Sequence, residues 1–372
     1  MVGSVPKSTD VFVVGGGPAG LATAIAMRRR GLSVVVADGA VPPIDKPCGE
    51  GLMPDGLDAL HGLGVTIPES EAYPFRGIRF VSDGRAVAAT FPHGVAYGIR
   101  RINLHRIMME EAAASGVTML WQTVVTGLHP DGVLVGGEPV RARWVVGADG
   151  TSSRLRHWAK LDAHQKKELR FAFRSHYNIA PYTDFMELHW GRSCQIYVTP
   201  VAADQICVAL ISESPKLRLE EALGEFPELS ERLRGVKHAS TERGAITVNR
   251  KLRRVYRDHA VLVGDASGGV DAITGEGLCL AFRQAALLAD CLATGDLARY
   301  QREHRKLGRR PALMARLMLM MAKRRFLRER TMRAFESNPE RFAAMLAMHV
   351  GAGSTREYVS NGISLGWGLL HA

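Results

Sequence analysis

The sequence lacks the features that mark secreted, zinc-stabilised and membrane-spanning proteins. Its five cysteines include no C-x-x-C pair and are odd in number, so neither a disulfide framework nor a zinc site is predicted. The longest strongly apolar run, residues 317–322, is far short of the ~20 residues of a membrane span. The N-terminal MVGSVPKSTD lacks the apolar stretch of a signal peptide. We therefore expect a cytoplasmic protein, at most peripheral to a membrane.

Length and charge set further limits. A chain of 372 residues has room for about two domains, and its composition, 46% hydrophobic and 23% charged, is typical of a folded globular protein. The net charge is +11, and residues 299–341 alone contain 14 Lys and Arg against four Glu. The basic excess therefore belongs to one C-terminal segment, and no nucleic-acid partner is expected.

The first motif is the glycine turn GGGPAG, residues 15–20. It lies between a β-branched run and a helical pattern, and a second β-branched run follows, which predicts a βαβ unit. Gly15 permits a tight turn, Gly17 lets the backbone approach a pyrophosphate, and Gly20 allows close packing of the helix on the strand. Asp38, at the end of the second strand, can accept hydrogen bonds from an adenosine ribose. The residues predicted to hold the nucleotide are Gly15, Gly17, Ala19, Gly20 and Asp38.

Two more motifs follow predicted strands. One motif follows a strand that ends in Gly-Ala-Asp-Gly at residues 147–150, and Ser153 and Arg156 are predicted one turn apart on a short helix. The other motif follows a strand that ends at Asp265, and the turn Gly275–Gly277 opens a helix. Glycines at such a turn let a backbone approach a ligand, toward which the first free N–H groups of the helix point.

Together these motifs resemble those of flavoproteins of the para-hydroxybenzoate hydroxylase fold, which include aromatic hydroxylases, geranylgeranyl reductases and flavin-dependent halogenases. Three fingerprints stand in the family's order: GGGPAG with Asp38, GADGTSSRLR, and GDASGGVDAITGEG. Arg101, in RRINLHRIM, matches a fourth feature, an Arg three residues before a Leu that opens a helix. The resemblance spans residues 10 to about 290.

The resemblance implies that the ligand is FAD. Arg101 would reach the same part of the cofactor as the first glycine turn, and Asp265 would hydrogen-bond its ribityl or pyrophosphate region. Gly275 and Gly277 would present backbone N–H groups to the pyrimidine edge of the flavin, where a helix N-terminus stabilises the negative charge that builds on reduction. For Asp149, a cofactor contact and a turn-stabilising role both stay open.

Three residues are candidates for a catalytic role near the flavin. Cys48 lies in KPCGEGLMP, where the family's loop comes close to the isoalloxazine, and its Cys-Gly pair resembles that of geranylgeranyl reductases. Glu50 and Glu276 are candidates for a proton relay. The alternatives are a buried apolar cysteine and carboxylates that bond only their own loops. The histidines His105, His176 and His189 have no metal-ligand spacing, so no metal is expected.

The order of the predicted elements indicates an α/β protein. Strands of the nucleotide-binding type stand at both ends of a strand-rich middle, which predicts a discontinuous Rossmann-like FAD-binding domain with an inserted strand-rich α+β substrate domain and a helical C-terminus. The expected FAD-binding domain comprises residues 1–70, 96–165 and 255–300; the substrate domain comprises 71–95 and 166–254; the C-terminal helical segment comprises 301–372.

Three functions are compatible with these motifs. The first is NAD(P)H-dependent hydroxylation of a lipophilic aromatic or polyketide-like substrate; NAD(P)H would visit transiently, because no second GxGxxG is present. The second is the saturation of prenyl double bonds, favoured by the Cys-Gly loop and by the absence of the His and Pro that hydroxylases usually carry around the last motif. The third is a non-catalytic flavin electron carrier. Halogenation is not expected, since CQIYVTP lacks the Trp residues of halogenases.

The C-terminal segment RRPALMARLMLMMAKRRFLRERTMRAF mixes a Met- and Leu-rich face with arginines. One interpretation is a helix packed on the substrate domain with a solvated basic edge. The other is a soft apolar wall for a lipophilic substrate. Its basic edge, including Arg324, Arg325 and Arg328, would then attract an anionic membrane surface or an acidic carrier protein.

Overall fold

A computed structural model of the chain describes residues 5–352, with residues 164–167 described by their backbone alone. The end of the predicted helical C-terminus, residues 353–372, lies outside the described residues. The strands are β1 (Ser8–Val14), β2 (Val34–Asp38), β3 (Gly51–Leu52), β4 (Tyr73–Phe75), β5 (Gly77–Ser82), β6 (Arg85–Thr90), β7 (Ala96–Gly98), β8 (Thr118–Trp121), β9 (Val125–His129), β10 (Gly132–Val135), β11 (Glu138–Gly147), β12 (His164–Tyr177), β13 (Met186–Trp190), β14 (Cys194–Ala202), β15 (Gln205–Ser212), β16 (Arg243–Leu252), β17 (Tyr256–Arg257), β18 (Ala260–Leu262) and β19 (Gly268–Gly269). The helices are α1 (Pro18–Arg28), α2 (Pro54–Gly62), α3 (Arg101–Ala114), α4 (Arg154–Trp158), α5 (Leu219–Ala222), α6 (Pro227–Leu233), α7 (Gly277–Thr294), α8 (Leu297–Leu307), α9 (Arg309–Lys323), α10 (Arg325–Ser337) and α11 (Pro339–His349).

The first sheet forms the Rossmann-like half of the molecule. Its strand order is β17-β18-β11-β1-β2-β8, and the strands from β18 to β8 run parallel. Strands β9 and β10 extend it in antiparallel fashion from β11. The predicted β1–α1–β2 unit is confirmed, and α1 begins at Pro18, within the glycine turn. Because β1, β11 and β18 are adjacent and parallel, their carboxyl ends bring the three motifs to one edge of the sheet.

Helices α1, α3 and α7 contribute to the core on one face of this sheet. Leu21, Ile25, Leu104, Phe282 and Leu288 are fully buried or nearly so within it. By length and composition α7 could span a membrane, but its 18 residues are half buried within the protein and pack against α1 and α2. It is therefore a core helix of this fold.

The second sheet is strand-rich and mostly antiparallel, with the order β19-β16-β12-β15-β14-β13-β5-β6 and one parallel pair, β13 with β5. Apart from the two-residue β19, its strands come from residues 77–90 and 164–252. This distribution follows the expected division of the chain, whose domain boundaries stay a prediction. A small third sheet, β3-β7-β4, completes the strands. The α/β fold class with a strand-rich insertion and a helical C-terminal segment is confirmed.

Helices cover both faces of the second sheet. Helices α5 and α6 pack on one face, and α9, α10 and α11 pack on the other. A 3-10 turn at Leu223–Glu225 separates α5 from α6. Pro227, the first residue of α6, explains the break, because proline cannot donate the N–H that would continue a helix.

The C-terminal basic segment is helical, but one of its arginines is not where the sequence suggested. Arg328 is only 1% exposed, and its Nε donates to Ser82 Oγ at 3.1 Å. The expectation that Arg328 belongs to an exposed basic edge is therefore wrong, since this side chain fastens α10 to the β5–β6 hairpin. Arg324 and Arg325 are exposed.

Candidate functional site

The first glycine turn is closed toward the protein and open on one side. A Cβ on Gly20 would lie 1.9 Å from the carbonyl oxygen of Gly15, so the helix can approach the strand only without a side chain there. A Cβ on Gly17 would meet only Arg101 Nη2, at 4.0 Å. Because no side chain caps α1, its first N–H groups are free to bind a ligand on the open side.

Asp38 holds the first glycine turn in shape. Its Oδ2 accepts a hydrogen bond from the backbone N–H of Gly16 at 2.7 Å, and its Oδ1 accepts one from Ala40 at 2.8 Å. A carboxylate has about four acceptor sites, so these bonds leave room for the predicted ribose contact. The sequence did not predict the contact with Gly16.

His105 holds the same turn from α3. Its Nδ1 lies 3.3 Å from the backbone N–H of Ile44, which can only donate, so Nδ1 accepts and Nε2 carries the proton. Nε2 then donates to the carbonyl oxygen of Gly16 at 2.8 Å. Burial lowers the pKa of His105 to about 4, so the neutral ring is the stable form. His105 is thus a structural histidine at the predicted cofactor site.

Arg101 is the cation of the site. Its side chain is buried, and Nη1 has no hydrogen-bond partner among residues 5–352. Burial lowers its pKa, while the nearby acidic side chains oppose that shift. A buried guanidinium with a free N–H beside the open side of Gly17 matches an anionic diphosphate. The residues present therefore fit the pyrophosphate of FAD.

Asp265 lies where the other two motifs meet. Thr151 Oγ1 donates to Asp265 Oδ2 at 3.3 Å, and Arg156 donates to both Thr151 O and Ala266 O at 3.1 Å. The Asp265 side chain is exposed, but many protein atoms surround it. The resulting desolvation raises its pKa, while the hydrogen bond from Thr151 and the charges of Lys46 and Arg101 oppose that shift. Its position fits the predicted contact with the cofactor.

Asp149, in contrast, caps a helix. Its Oδ2 accepts hydrogen bonds from the backbone N–H groups of Arg154 at 2.7 Å and Leu155 at 3.1 Å. Ser153 caps the same helix by accepting from the N–H of Arg156. The structure thus shows the turn-stabilising role of Asp149, while its buried Oδ1 has no hydrogen-bond partner among residues 5–352, so the cofactor contact stays a prediction.

The turn at residues 271–277 is open where the sequence predicted a flavin contact. Gly275 has a φ of +68°, and a Cβ on Gly275 or Gly277 would meet no atom of residues 5–352 within 4 Å. The second sheet fixes this turn: Arg170 donates to Asp271 Oδ1 at 3.2 Å, and the hydroxyl of Tyr197 donates to Ile273 O. The free N–H groups at the start of α7 are therefore presented by a supported turn.

Glu50 lies beside Arg101 in a buried ion cluster. Its φ is +59°, which is uncommon for a residue with a side chain. Its Oε1 accepts from the backbone N–H of Arg101 at 3.0 Å, and its Oε2 lies 2.6 Å from His176 Nε2. Cys48 belongs to this group, and burial together with the charge of Glu50 raises the pKa of its thiol. The structure thus brings two of the three catalytic candidates to the cofactor cation.

His176 belongs to this cluster, although the sequence gave no sign of it. Arg174 Nη1 can only donate and lies 3.1 Å from His176 Nδ1, so Nδ1 accepts and Nε2 donates to Glu50. Ligand atoms of Glu50, His176 and Cys207 lie within 4.8 Å of one another. Because two of these groups already bond each other next to the positive charge of Arg174, we interpret the cluster as an ionic support rather than a metal centre.

Glu276 lies in a separate group at the start of α7. Arg310, from α9, donates to Glu276 Oε1 at 3.0 Å and to Asp55 Oδ2 at 2.9 Å. Burial raises the pKa of Glu276, and the nearby His349 and Arg310 oppose that shift. His189, the remaining predicted histidine, bonds Glu187 at 2.9 Å within the second sheet.

A narrow apolar cavity of about 20 Å³, room for about one water molecule, lies beside the second turn. It separates the second sheet from helices α9 and α11, and it is called the apolar cavity below. Its walls are mostly aliphatic, aromatic and Met side chains: Ile78, Phe80, Met186, Leu188, Tyr197, Ile273, Thr274, Met314, Met318, Phe342, Met345, Leu346 and His349. The Met-rich helix face predicted from the sequence thus forms one wall.

Comparison with known proteins identifies the family. The model of the FAD binding domain family matches residues 8–296. Menaquinone reductase of Mycobacterium tuberculosis is 28% identical over 323 residues, covering 80% of this chain and 79% of the relative. Digeranylgeranylglycerophospholipid reductase of Methanocaldococcus jannaschii is 26% identical, with coverages of 78% and 76%. Ubiquinone hydroxylase of Rhodospirillum rubrum is 26% identical, with coverages of 80% and 75%.

A solved structure supports the fold. A flavoprotein/dehydrogenase of Cytophaga hutchinsonii superposes with a TM-score of 0.80 over 92% of each chain, at 20% identity. The family match covers the glycine turn, Arg101 and the Asp265–Gly277 motif, the same residues that fit the cofactor. The chain therefore belongs to the FAD binding domain family and is an FAD-dependent oxidoreductase.

Proposed function

We propose that this enzyme reduces a double bond of a lipophilic, prenyl-type substrate that binds at the Met-rich wall beside the second turn. The observation that carries the proposal is the apolar, Met-rich lining between the second sheet and helices α9 and α11, next to the turn where the sequence predicts the flavin contact. Long, flexible apolar chains suit a wall of methionines, because unbranched thioether side chains adapt to irregular shapes. A flavin electron carrier would need no such lining.

The relatives favour reduction over the hydroxylation that the sequence alone placed first. The most similar of the three relatives is named a reductase and so is the second, and their names refer to a menaquinone and to a geranylgeranyl lipid. Hydroxylation of a lipophilic substrate is the second candidate, favoured by the similarity to a ubiquinone hydroxylase. For either reaction we propose NAD(P)H as the transient source of electrons.

Bound FAD would supply the hydride or activate oxygen, and the residues described above supply the rest. Arg101, Asp265 and the first glycine turn would hold the cofactor. Burial and the charge of Glu50 raise the pKa of the Cys48 thiol, which favours its protonated form, and Cys48 stays a candidate proton donor beside Arg101. The apolar lining keeps water away from the reacting carbon atoms.

Turnover with and without oxygen tests the reaction. The holoenzyme is reduced anaerobically and mixed with a geranylgeranyl lipid, and the flavin absorbance and the lipid mass are followed. A reductase reoxidises its flavin with the alkene alone and yields a product two mass units heavier per double bond. Oxygen-dependent turnover that adds 16 mass units would instead establish hydroxylation. The absence of FAD from the purified and reconstituted protein would contradict both.

We further propose that the C-terminal segment docks on an anionic membrane, from which the substrate enters. Leu313, Met320 and Phe326 are 50%, 44% and 66% exposed, which is unusual for large apolar side chains. Leu313 and Met320 share one face of α9 with the exposed Arg316 and Lys323, at helical spacing. Apolar side chains between basic ones favour a lipid surface over an acidic protein.

Vesicle cosedimentation tests this surface. Replacing Leu313, Met320 and Phe326 by Ser should lower binding to vesicles that contain phosphatidylglycerol, without a change in the flavin spectrum. Replacing Lys323 and Arg324 by Gln should weaken binding by ~1 kcal/mol per charge at low salt. Arg328→Gln serves as a contrast, because this buried side chain should affect folding rather than binding. Vesicle binding that survives both surface variants, or capture by acidic carrier proteins alone, would contradict the proposal.

A further inference from the structure

A row of hydrogen bonds leads from the predicted cofactor site toward the surface of the molecule. It begins at Glu50, whose Oε1 accepts from the backbone N–H of Arg101. Oε2 of Glu50 lies 2.6 Å from Nε2 of His176, and both side chains are only 1% exposed. Nδ1 of His176 lies 2.8 Å from Oγ of Ser240, which is half-buried beside the exposed Thr241. His176 therefore connects a buried carboxylate to a hydroxyl near the surface.

The contacts of the His176 ring fix where a further proton can bind. Nε2 carries the ring proton and donates to Glu50, while Nδ1 faces Arg174 Nη1 at 3.1 Å and Ser240 Oγ at 2.8 Å. A second proton can be added only at Nδ1, on the side of Ser240. The bond from Nε2 to Glu50 stays intact when this happens, and the new Nδ1–H can donate to Ser240 Oγ.

The charged side chains around this pair nearly cancel. Two carboxylates, Glu50 and Asp45, face two guanidinium groups: Arg174 donates to Asp45 and lies 3.8 Å from Glu50 Oε1, and Arg101 follows on the other side of Glu50. Arg243 also pairs with Asp45, at 2.9 Å, but it is half exposed, so water and salt screen it. The other titratable side chains of the adjoining segments are Lys46, Cys48, Cys207 and His238.

The cofactor would upset this balance. Its diphosphate is predicted to pair with Arg101, and reduction adds further negative charge to the flavin. Arginines cannot respond, because they stay charged at every working pH. Burial raises the pKa of the Cys48 and Cys207 thiols, and a neutral thiol has no positive form to adopt. In this cluster the response to the added charge is therefore left to Glu50 and His176.

We propose that the Glu50–His176 pair binds one proton when the cofactor is reduced and releases it when the cofactor is reoxidised. As two electrons enter the flavin, the Ser240 hydroxyl passes its proton to Nδ1 of His176 and takes another from water. Reoxidation returns the proton along the same path, so the protein ends each cycle unchanged. The inference goes beyond the proposed function, because every substrate of this enzyme requires a reduced cofactor.

The pH dependence of the flavin potential tests the proposal. The midpoint potential of the FAD-loaded enzyme is measured by spectroelectrochemistry between about pH 5 and 8, the range in which histidines change their charge. For a two-electron couple, one additional proton steepens the slope by about 30 mV per pH unit, since each pH unit is a tenfold change in proton concentration. We expect the slope of the unmodified enzyme to exceed that of a variant without the pair by up to this value.

Three variants assign the additional proton. His176→Gln keeps an N–H that can reach Glu50 but cannot bind a second proton, and Glu50→Gln removes the charge that stabilises a protonated ring; both should lose the steeper slope. His189→Gln is the matched control. His189 is also buried and lies 2.9 Å from Glu187, but its strand β13 is three strands away from β12 in the second sheet. If His176→Gln does not retain FAD, Glu50→Gln carries the test.

The path is tested by kinetics. Proton uptake is followed with a pH indicator after the enzyme is mixed with electrochemically reduced methyl viologen, which carries electrons without protons. Ser240→Val replaces the hydroxyl by methyl groups and should slow the uptake severalfold, while the slope of the potential stays that of the unmodified enzyme. An unchanged rate in this variant would overturn the path through Ser240.

The remaining outcomes separate this proposal from the proposed function. Equal slopes for the unmodified enzyme, His176→Gln and Glu50→Gln across the whole pH range would overturn the proton-binding pair. An equal loss in His189→Gln would also overturn it, because the effect would then follow from removing any buried histidine of the second sheet. A slope that responds as expected in an enzyme that reduces no alkene would contradict the proposed function and leave this inference standing.

Discussion

The two glycine turns at the cofactor site are held by different parts of the molecule. The first, residues 15–20, is fastened by Asp38 and His105, which belong to the Rossmann-like half. The second, residues 271–277, is fastened by Arg170 and Tyr197 of the second sheet. Arg310 of the C-terminal helices holds Glu276 within it.

This difference assigns the turns different roles. The first turn is held by residues of the Rossmann-like half, so changes there should act on cofactor affinity. The second turn shares Tyr197 and Ile273 with the wall of the apolar cavity, so changes there should act on the flavin environment and on ligand binding together. The second sheet therefore positions one end of the predicted cofactor site.

The largest effect is expected from closing the first turn. Gly20→Ala would place a Cβ 1.9 Å from the Gly15 carbonyl oxygen. Because the clash is with backbone, the helix and the strand would have to move apart. We expect a loss of about 3 kcal/mol or more in the free energy of unfolding, together with a loss of FAD binding. Denaturant titration and the flavin content of the purified protein measure both.

Gly31→Ala is the matched control for this prediction. Gly31 has a φ of +79° at the end of α1, but a Cβ there would meet no atom within 4 Å. Gly31→Ala should therefore lower the free energy of unfolding by only ~1 kcal/mol, the cost of an alanine with a left-handed backbone, and should leave FAD binding unchanged. If Gly20→Ala and Gly31→Ala lose equal amounts of unfolding free energy and of FAD, the close approach of α1 to β1 is not what requires a glycine at position 20.

Acid titration sharpens the comparison, because the buried His105 supports the first turn and the half-buried His304 bonds Ser267, shortly before the second turn. His105 bonds Gly16 O, and His304 bonds Ser267 Oγ beside the second motif. Burial lowers the pKa of each to about 4. From about pH 6.5 down to 4 the unfolded chain binds a proton that the native chain excludes, so stability is complete above that window and falls with acidification.

For His105 this loss should reach about 3 kcal/mol near pH 4. His105→Gln keeps a donor for Gly16 O but cannot titrate, so its unfolding free energy should depend less on pH between 6.5 and 4. His304→Gln should flatten the same window through the second motif. If the pH dependence of the unfolding free energy between pH 6.5 and 4 is unchanged in both variants, groups other than these two histidines determine the acid stability.

The sequence could predict the first turn because its determinants are local. The glycines, α1 and Asp38 lie within 24 residues, and each position follows from the backbone geometry of one βαβ unit. The Asp265–Gly277 motif was also recognisable. Its supports were not, since Arg170 lies 101 residues from Asp271 and Tyr197 lies 76 residues from Ile273.

The clusters around the candidate residues were hidden for the same reason. The sequence suggested a proton relay for both Glu50 and Glu276, yet Glu50 bonds His176 of β12, while Glu276 bonds Arg310 of α9. Neither partner stands in a recognisable motif, because pairing across sheets leaves no periodic signal in the chain. Arg328 shows the converse, a basic residue in a basic run that is buried by packing.

A smaller effect is expected from removing the cation of the first turn. Arg101→Gln should weaken FAD binding about tenfold or more, the value of one charge-assisted hydrogen bond. The apoprotein should lose less than about 1 kcal/mol, because Nη1 has no partner to lose. Arg106→Gln, on the same helix, removes only exposed ion pairs and should change neither quantity much. Equal FAD dissociation constants for the two variants would remove Arg101 from the cofactor site.

The smallest effect is expected at the second turn, where it decides whether the comparison holds. Tyr197→Phe removes the hydroxyl that donates to Ile273 O, and Tyr300→Phe removes an equally buried hydroxyl that donates to Leu262 O at 2.8 Å. Each should cost ~1 kcal/mol of unfolding free energy. Only Tyr197→Phe should also shift the flavin absorbance and the affinity of a lipophilic probe, because Tyr197 supports the turn and lines the apolar cavity. FAD affinity should change less than twofold in both. If the flavin spectrum and probe binding respond equally to the two variants, the second turn is not set by the second sheet, and the two turns do not differ in the way proposed.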